Sequence, residues 1–330
     1  MNKIDTLIFS GGGFKIYYSL GALKYLLDSK FIDLSNIKNY YGTSAGAIAC
    51  VMLILGYSIE EIKVIGNLDF NIFNEDKNID ELLNDYGIIK TQKIYFFFEK
   101  LFEKKGYNKD ITIKELYQLT GKNLKINSVW INQSSHIIFD KDNFNDVPIK
   151  IILRMSISVP FVFEPVKIIS KNDILSFNIP DYLTHEEYHN LLKNNLDENL
   201  INKCQKEKIE VNYFIDGSII NNLLINDYDN YIAFNINSFN KKKIINDFFD
   251  YLKSIWNIYH YRNNEKHLNN PKIIEINNNN NHHLFNLNLT LDDYNYMLEQ
   301  GEIYSFQHLI KYYLYPYLHK LYLLIILNNY

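Results

Sequence analysis

Thr6 to Ser10 reads as a buried strand, and from Lys15 the apolar positions Ile16, Leu20, Leu23, Leu26 and Leu27 recur at helical spacing. Gly11, Gly12 and Gly13 fall between the two, so they form the turn of a βα unit. Tyr40-Tyr41 ends a second strand, and Ala45 to Leu55 continues as a nearly all-apolar helix stopped at Gly56. A helix apolar on every side is a buried one. Ser58 and Glu61 have the spacing of a capping box for the next helix, and an aromatic-rich helical stretch occupies much of Asp80 to Lys105.

Further along, Lys125 to Asn132 and His136 to Phe139 read as strands joined by a short polar turn. Asp146 and Pro148 open a helix that must end near Ser158, before Pro160. Tyr182 to Ile209 reads as one inserted helix, with Thr184 and Glu187 as its capping box and Tyr188, Leu191, Leu192, Leu196 and Leu200 as its apolar side. Val211 to Ile215 and Tyr231 to Ile236 are strand-like, with the turn Asp216-Gly217 directly after the first. Beyond Asn237 the pattern predicts a helix, a strand over Pro271 to Ile276, an Asn-rich loop over Asn277 to Asn281 and long helices opened by Thr290. Strands alternating with helices predict an α/β fold, three layers with a mostly parallel central sheet.

Composition narrows the function classes. The 330 residues suit about two domains, or a single α/β domain with insertions. A net charge of −4 offers no basic footprint, so nucleic acid is not an expected partner. Cys50 and Cys204 cannot make a disulfide framework, and Met1 to Asp5 lacks the apolar run of a signal peptide. An intracellular, cytoplasmic setting is therefore expected. Leu321 to Leu327 is far shorter than the roughly 20 residues of a membrane span. Peripheral contact with a bilayer stays open.

The candidate chemistry lies in Gly42-Thr43-Ser44-Ala45-Gly46, a strand-to-helix turn with a serine at its apex. Flanking glycines relieve crowding there, so the Ser44 hydroxyl can project at the start of the helix. Gly11 to Gly13 can bring backbone N–H groups to a developing oxyanion, with Lys15 adding positive charge nearby. Neither phosphate pattern fits: a dinucleotide fingerprint needs glycine where Ile16 stands, and a P-loop needs a Gly-Lys-Ser/Thr that is absent. A hydroxyl nucleophile needs a base. His283, His308 and His319 lie late enough for a triad histidine, but none follows a recognisable strand end.

These residues resemble a known family. Gly11-Gly12-Gly13-Phe14-Lys15, then Gly42-Thr43-Ser44-Ala45-Gly46, then Asp216-Gly217 resemble the three ordered motifs of the patatin-like phospholipases. The stretch Arg154 to Pro165, with its serines, Pro160, Phe163 and Pro165, and Asn222 match as well. The likeness covers roughly Ile4 to Ile236, which divides the chain into a catalytic domain over 4–236, with a helical insertion about 170–210, and a mainly helical C-terminal extension over 237–330 packed on the same domain.

The resemblance implies a patatin-like fold and a Ser-Asp dyad without metal or cofactor. Ser44 is the implied nucleophile and Asp216 the implied general base. Gly11, Gly12 and Gly13 would line the oxyanion hole, with Lys15, Gly42, Gly46 and Gly217 as supporting motif residues. The implied reaction is hydrolysis of a fatty acyl ester in a phospholipid through an acyl-enzyme. The chain departs from the family at Ile16, Ser218 and Leu224, where glycine, alanine or glycine, and proline are usual. Two other readings stay in play: an α/β-hydrolase esterase using a late histidine, and a patatin-like protein that binds lipid with little turnover. The Phe161-Val162-Phe163 cluster can line an acyl cleft or pack in the core, and the 182–209 insertion can be a lid or a packed surface helix.

Overall fold

The computed structural model describes residues 3–66, 86–89, 92–225, 228–237, 269–277 and 289–316. In chain order the elements are β1 (Thr6–Phe9), α1 (Ile16–Asp28), β2 (Asn39–Gly42), α2 (Ala45–Ile54), α3 (Ile59–Gly66), β3 (Gly87–Ile89), α4 (Gln92–Lys104), α5 (Ile113–Thr120), β4 (Asn123–Trp130) and β5 (Ser135–Phe139). They continue with α6 (Ile149–Ser156), β6 (Phe161–Phe163), β7 (Val166–Lys171), β8 (Ile174–Ser176), α7 (His185–Lys193), α8 (Glu198–Glu207), β9 (Ile209–Asp216), β10 (Tyr231–Asn237), β11 (Ile273–Asn277) and α9 (Leu291–Leu309). The chain forms two compact units: 1–71 with 122–124 and 222–330, and 72–121 with 125–221.

The first unit is built on parallel pairs, β2 with β1, β1 with β10 and β10 with β11. Its strands carry the core, since Leu7, Ile8, Phe9, Ile232, Phe234 and Ile274 are all fully buried. The expected all-apolar helix is α2, with Ala47 and Cys50 inaccessible to solvent. Helix α9 packs on α1 at a spacing only glycine permits: a Cβ on Gly21 would lie 2.0 Å from Leu298 O, and one on Gly301 2.0 Å from Tyr18 O. Ser305 Oγ locks the crossing by donating to Ala22 O at 2.9 Å. The predicted capping box of Ser58 with Glu61 is present here, and Thr290, expected to open a helix, caps α9 together with Asp293.

The second unit is antiparallel where its larger sheet is concerned: β4 pairs with β5 and β9, and β7 pairs with β9 and β8. The largely parallel sheet expected from the pattern thus describes the first unit, and the sheet pairing as a whole is mixed. Between 166 and 209 the insertion is not simply helical, because it opens with the β7–β8 hairpin. The expected single helix over 182–209 is two helices. Asn194, at φ 57, ends α7, and the Asp197 side chain accepts from Leu200 N–H to start α8. Leu191 and Leu200 turn inward against Ile169 of β7 and Ile209 of β9, while Leu196 in the break is 40% exposed. The apolar side of the insertion is consumed in packing on its own sheet, as a surface helix pair does.

Several expectations lie outside the described residues: the helix after Asn237, most of the Asn-rich loop, the tail at 321–327, His283 and His319.

Candidate functional site

Ser44 stands between β2 and α2 at φ 53, ψ −126, a conformation costing a non-glycine residue on the order of 1–3 kcal/mol. The surroundings over-determine it. Thr43 N–H donates to Phe9 O at 3.2 Å, Gly46 N–H to Thr43 O at 2.8 Å and Ala47 N–H to Ser44 O at 2.9 Å. A Cβ on Gly42 would sit 2.5 Å from Gly46 O, and one on Gly46 would sit 2.5 Å from Phe9 O and 2.7 Å from Ser10 O. The two missing side chains therefore let the first turn of α2 lie against the ends of β2 and β1. Ser44 is left at a helix N-terminus, where the helix dipole favours negative charge.

The glycine turn lies beside this serine. A Cβ on Gly11 would be 3.0 Å from Ser44 Cβ and 2.8 Å from Asn222 Oδ1. Gly12 is pressed on Ile236, whose Cδ1 would be 2.8 Å from an added Cβ, and Gly13 takes the left-handed φ of 54 that glycine tolerates best. Ser10 ties the turn to β10, its N–H donating to Phe234 O and its Oγ accepting from Ile236 N–H, each at 3.0 Å. Lys15 is buried and closes the turn through its N–H to Gly12 O at 3.1 Å.

The three glycines are not equivalent donors. Gly11 N–H is already given to Asn222 Oδ1 at 2.9 Å. For Gly12 and Gly13, no backbone or side-chain acceptor of the N–H occurs among the described residues. Gly11 and Asn222 thus form a clamp on this turn. Ile16, the departure from the family pattern, is a buried first residue of α1 and leaves that clamp intact.

Further out on the same strands, Asn235 and Asn237 donate to the Glu275 carboxylate of β11. Burial pushes the Glu275 carboxyl up to about 7.

Asp216 belongs to the second unit, as the last residue of β9, fully buried. It sits opposite Ser128 of β4. Its N–H donates to Ser158 O at 2.9 Å, and its Oδ1 accepts from Ser218 N–H at 2.8 Å. Because Ser218 acts through its backbone, the family departure there leaves this bond unchanged. Asn127 was not foreseen from the sequence. Its Nδ2 donates to Asn221 O at 2.8 Å and to Gly217 O at 3.3 Å, and a Cβ on Gly217 would lie 2.5 Å from its Oδ1. The available signal was an amide flanked by Ile126 and Ser128 in a strand buried from Ile126 onward.

Phe161 is 46% exposed at φ 68, so this member of the Phe161-Val162-Phe163 cluster is not core. Leu224 is buried. His308, the described member of the late histidines, is buried on α9, with Nε2 2.9 Å from Pro271 O, and burial lowers its pKa. Its contacts account for it as a packing residue. Among the described residues no cluster of three or more His, Cys, Asp or Glu could hold a metal ion.

A strained serine thus stands at a strand-to-helix turn of an α/β protein, wedged against a glycine turn on the neighbouring parallel strand. The chain belongs to the patatin-like phospholipase family, whose model matches residues 7–229. It is 30% identical over 167 residues to a probable lipid hydrolase of Invertebrate iridescent virus 6, covering 49% of this chain and 56% of that protein. It is 34% identical over 168 residues to an uncharacterized protein of Acanthamoeba polyphaga mimivirus, covering 50% and 55%. The matched stretch thus spans little more than half the length of these relatives. The crystal structure of VipD from Legionella pneumophila has a similar fold, with TM-score 0.52 and 15% identity over 94% of this chain and 67% of that one.

Proposed function

We propose that this protein is a lipid acyl hydrolase of phospholipase A type, cleaving fatty acyl esters of glycerophospholipids through an acyl-enzyme on Ser44. The observation that carries the reading is the strained Ser44 packed against Gly11 at the N-terminus of α2. Membership of the patatin-like phospholipases and likeness to a viral probable lipid hydrolase support the substrate class.

In this mechanism Ser44 Oγ attacks the ester carbonyl carbon as the Asp216 carboxylate takes its proton. The carbonyl oxygen gathers negative charge, held by the N–H groups of Gly12 and Gly13 and by the start of α2. Collapse breaks the ester C–O bond, and the lysophospholipid alkoxide leaves with the proton from Asp216. Water then attacks the acyl carbon, again giving its proton to Asp216, and the fatty acid departs as Ser44 Oγ recovers that proton. The reading includes an intracellular enzyme working peripherally at a lipid surface. Among the described residues no helix is long and apolar enough to cross a membrane.

Fatty-acid release from phosphatidylcholine vesicles tests it. Ser44→Ala and Asp216→Asn should each lower kcat by at least about 10³-fold, and the double variant should be no worse, because the two act as one unit. Activity should survive EDTA, since no step uses a metal. Full activity in Ser44→Ala would overturn the mechanism. No turnover by the native protein together with no fluorophosphonate adduct on Ser44 would leave a lipid-binding protein.

A further inference from the structure

Among the described residues Arg154 is the largest fully buried side chain. It sits in the last turn of α6, and desolvation pulls its pKa down to about 10. A buried guanidinium is costly unless its surroundings repay it. Its bonds all go to one short loop. Nη1 donates to Ser158 Oγ, Nη2 donates to Glu164 O at 2.7 Å, and the guanidinium lies 5.5 Å from the Phe163 ring centroid. Ser158 Oγ in turn donates to Arg154 O at 2.7 Å. Both ends of the 158–164 loop are thereby stapled to α6, and the carbonyl of Ser158 is the group that accepts Asp216 N–H at 2.9 Å.

We infer that Arg154 is a positioning residue for Asp216, acting through Ser158, which it holds so that the Ser158 carbonyl anchors the end of β9 and sets where the carboxylate sits. The planar fork reaches a hydroxyl and a carbonyl six residues apart in sequence, which a lysine ammonium cannot match with the same geometry. This rests on the reading of Asp216 as the general base. A displacement of about 1 Å in such a group costs about a hundredfold in rate.

The experiment measures kcat and KM for fatty-acid release from phosphatidylcholine vesicles, and the rate of fluorophosphonate labelling of Ser44. The variants are Arg154→Met, Arg154→Lys and Ser158→Ala, each checked for folding by circular dichroism. Arg154→Met should lower kcat by about 10- to 100-fold with KM within about twofold, Arg154→Lys should recover part of the loss, and labelling should slow in parallel. Placed in the Asp216→Asn background, Arg154→Met should cost less than about twofold more, because its effect passes through a base already removed.

A folded Arg154→Met with native kcat, or a full additional loss in the Asp216→Asn background, would overturn the inference. If Arg154→Met fails to fold, Ser158→Ala decides alone: it keeps the arginine, and native kcat there is equally fatal. Native activity in Asp216→Asn would instead sink the reading of the base, and this inference with it.

Discussion

Ser44 and Asp216 both stand at the C-terminal end of a strand, yet the two units hold them by opposite means. Around Ser44 the structure works by leaving atoms out: Gly42, Gly46 and Gly11 have no side chain, and each added Cβ would come within 3.0 Å of backbone or of a neighbouring side chain. Around Asp216 it works by adding polar groups: the Asn127 amide, the Ser128 hydroxyl, the Ser158 carbonyl and the Ser218 N–H all make hydrogen bonds to Asp216 or the chain beside it. The parallel unit can afford strain because its helix and strands press on the turn from both sides. The antiparallel unit has a strand end with free carbonyls to satisfy, so it uses amides and hydroxyls. One site should therefore break sterically and the other electrostatically.

Gly46→Ala is the largest test of that difference. In an ordinary helix the change gains up to about 1 kcal/mol. Here the new methyl meets two backbone carbonyls, so a net loss of about 3 kcal/mol is expected in urea melts, with Ser44 labelling slowed more than about tenfold. A stability gain would end the steric account.

Asn127→Ala comes next. It strips the donors from the buried carbonyls of Gly217 and Asn221, for an expected loss of about 2 kcal/mol in the same melts. If stability is unchanged, the polar clamp around Asp216 is not what holds that turn.

The smallest effect concerns Glu275 in the first unit. Its folded pKa, about 7, lies above the ordinary 4.5, so the fold binds the proton more tightly than the unfolded chain does. The resulting stability is complete below about pH 4.5 and is lost as pH rises to about 7, remaining flat above. Fully buried, the shift would carry about 3 kcal/mol; partial exposure reduces the expectation to about 1 kcal/mol. Glu275→Gln should remove that slope and stabilise the protein at pH 8. An unchanged pH profile would show that Asn235 and Asn237 already compensate the charge.

Much of this was legible in the chain because it depends on local rules. The βα turn at Gly11 to Gly13, the helix after Ser44 and the two capping boxes at Ser58 and Thr184 follow from spacing, and each occurs where the spacing placed it. The break at Asn194 was not legible, because Leu192, Leu196 and Leu200 keep a spacing of four straight across it. A left-handed asparagine and a fresh Asp197 cap interrupt that period without disturbing it. Strand direction was equally hidden, since the pairing partners lie far apart in the chain.

By itself the sequence determined the chemistry on offer: a serine and an aspartate at strand ends, and glycines where side chains would obstruct. Those are properties of residue type and spacing. Only the tertiary structure decided which N–H groups are already spent and which residues do the holding. Gly11 is engaged by Asn222, 211 positions away, and Asp216 is anchored by the Ser158 loop that Arg154 staples. Those partners are chosen by packing between segments distant in the chain, where no local period records them.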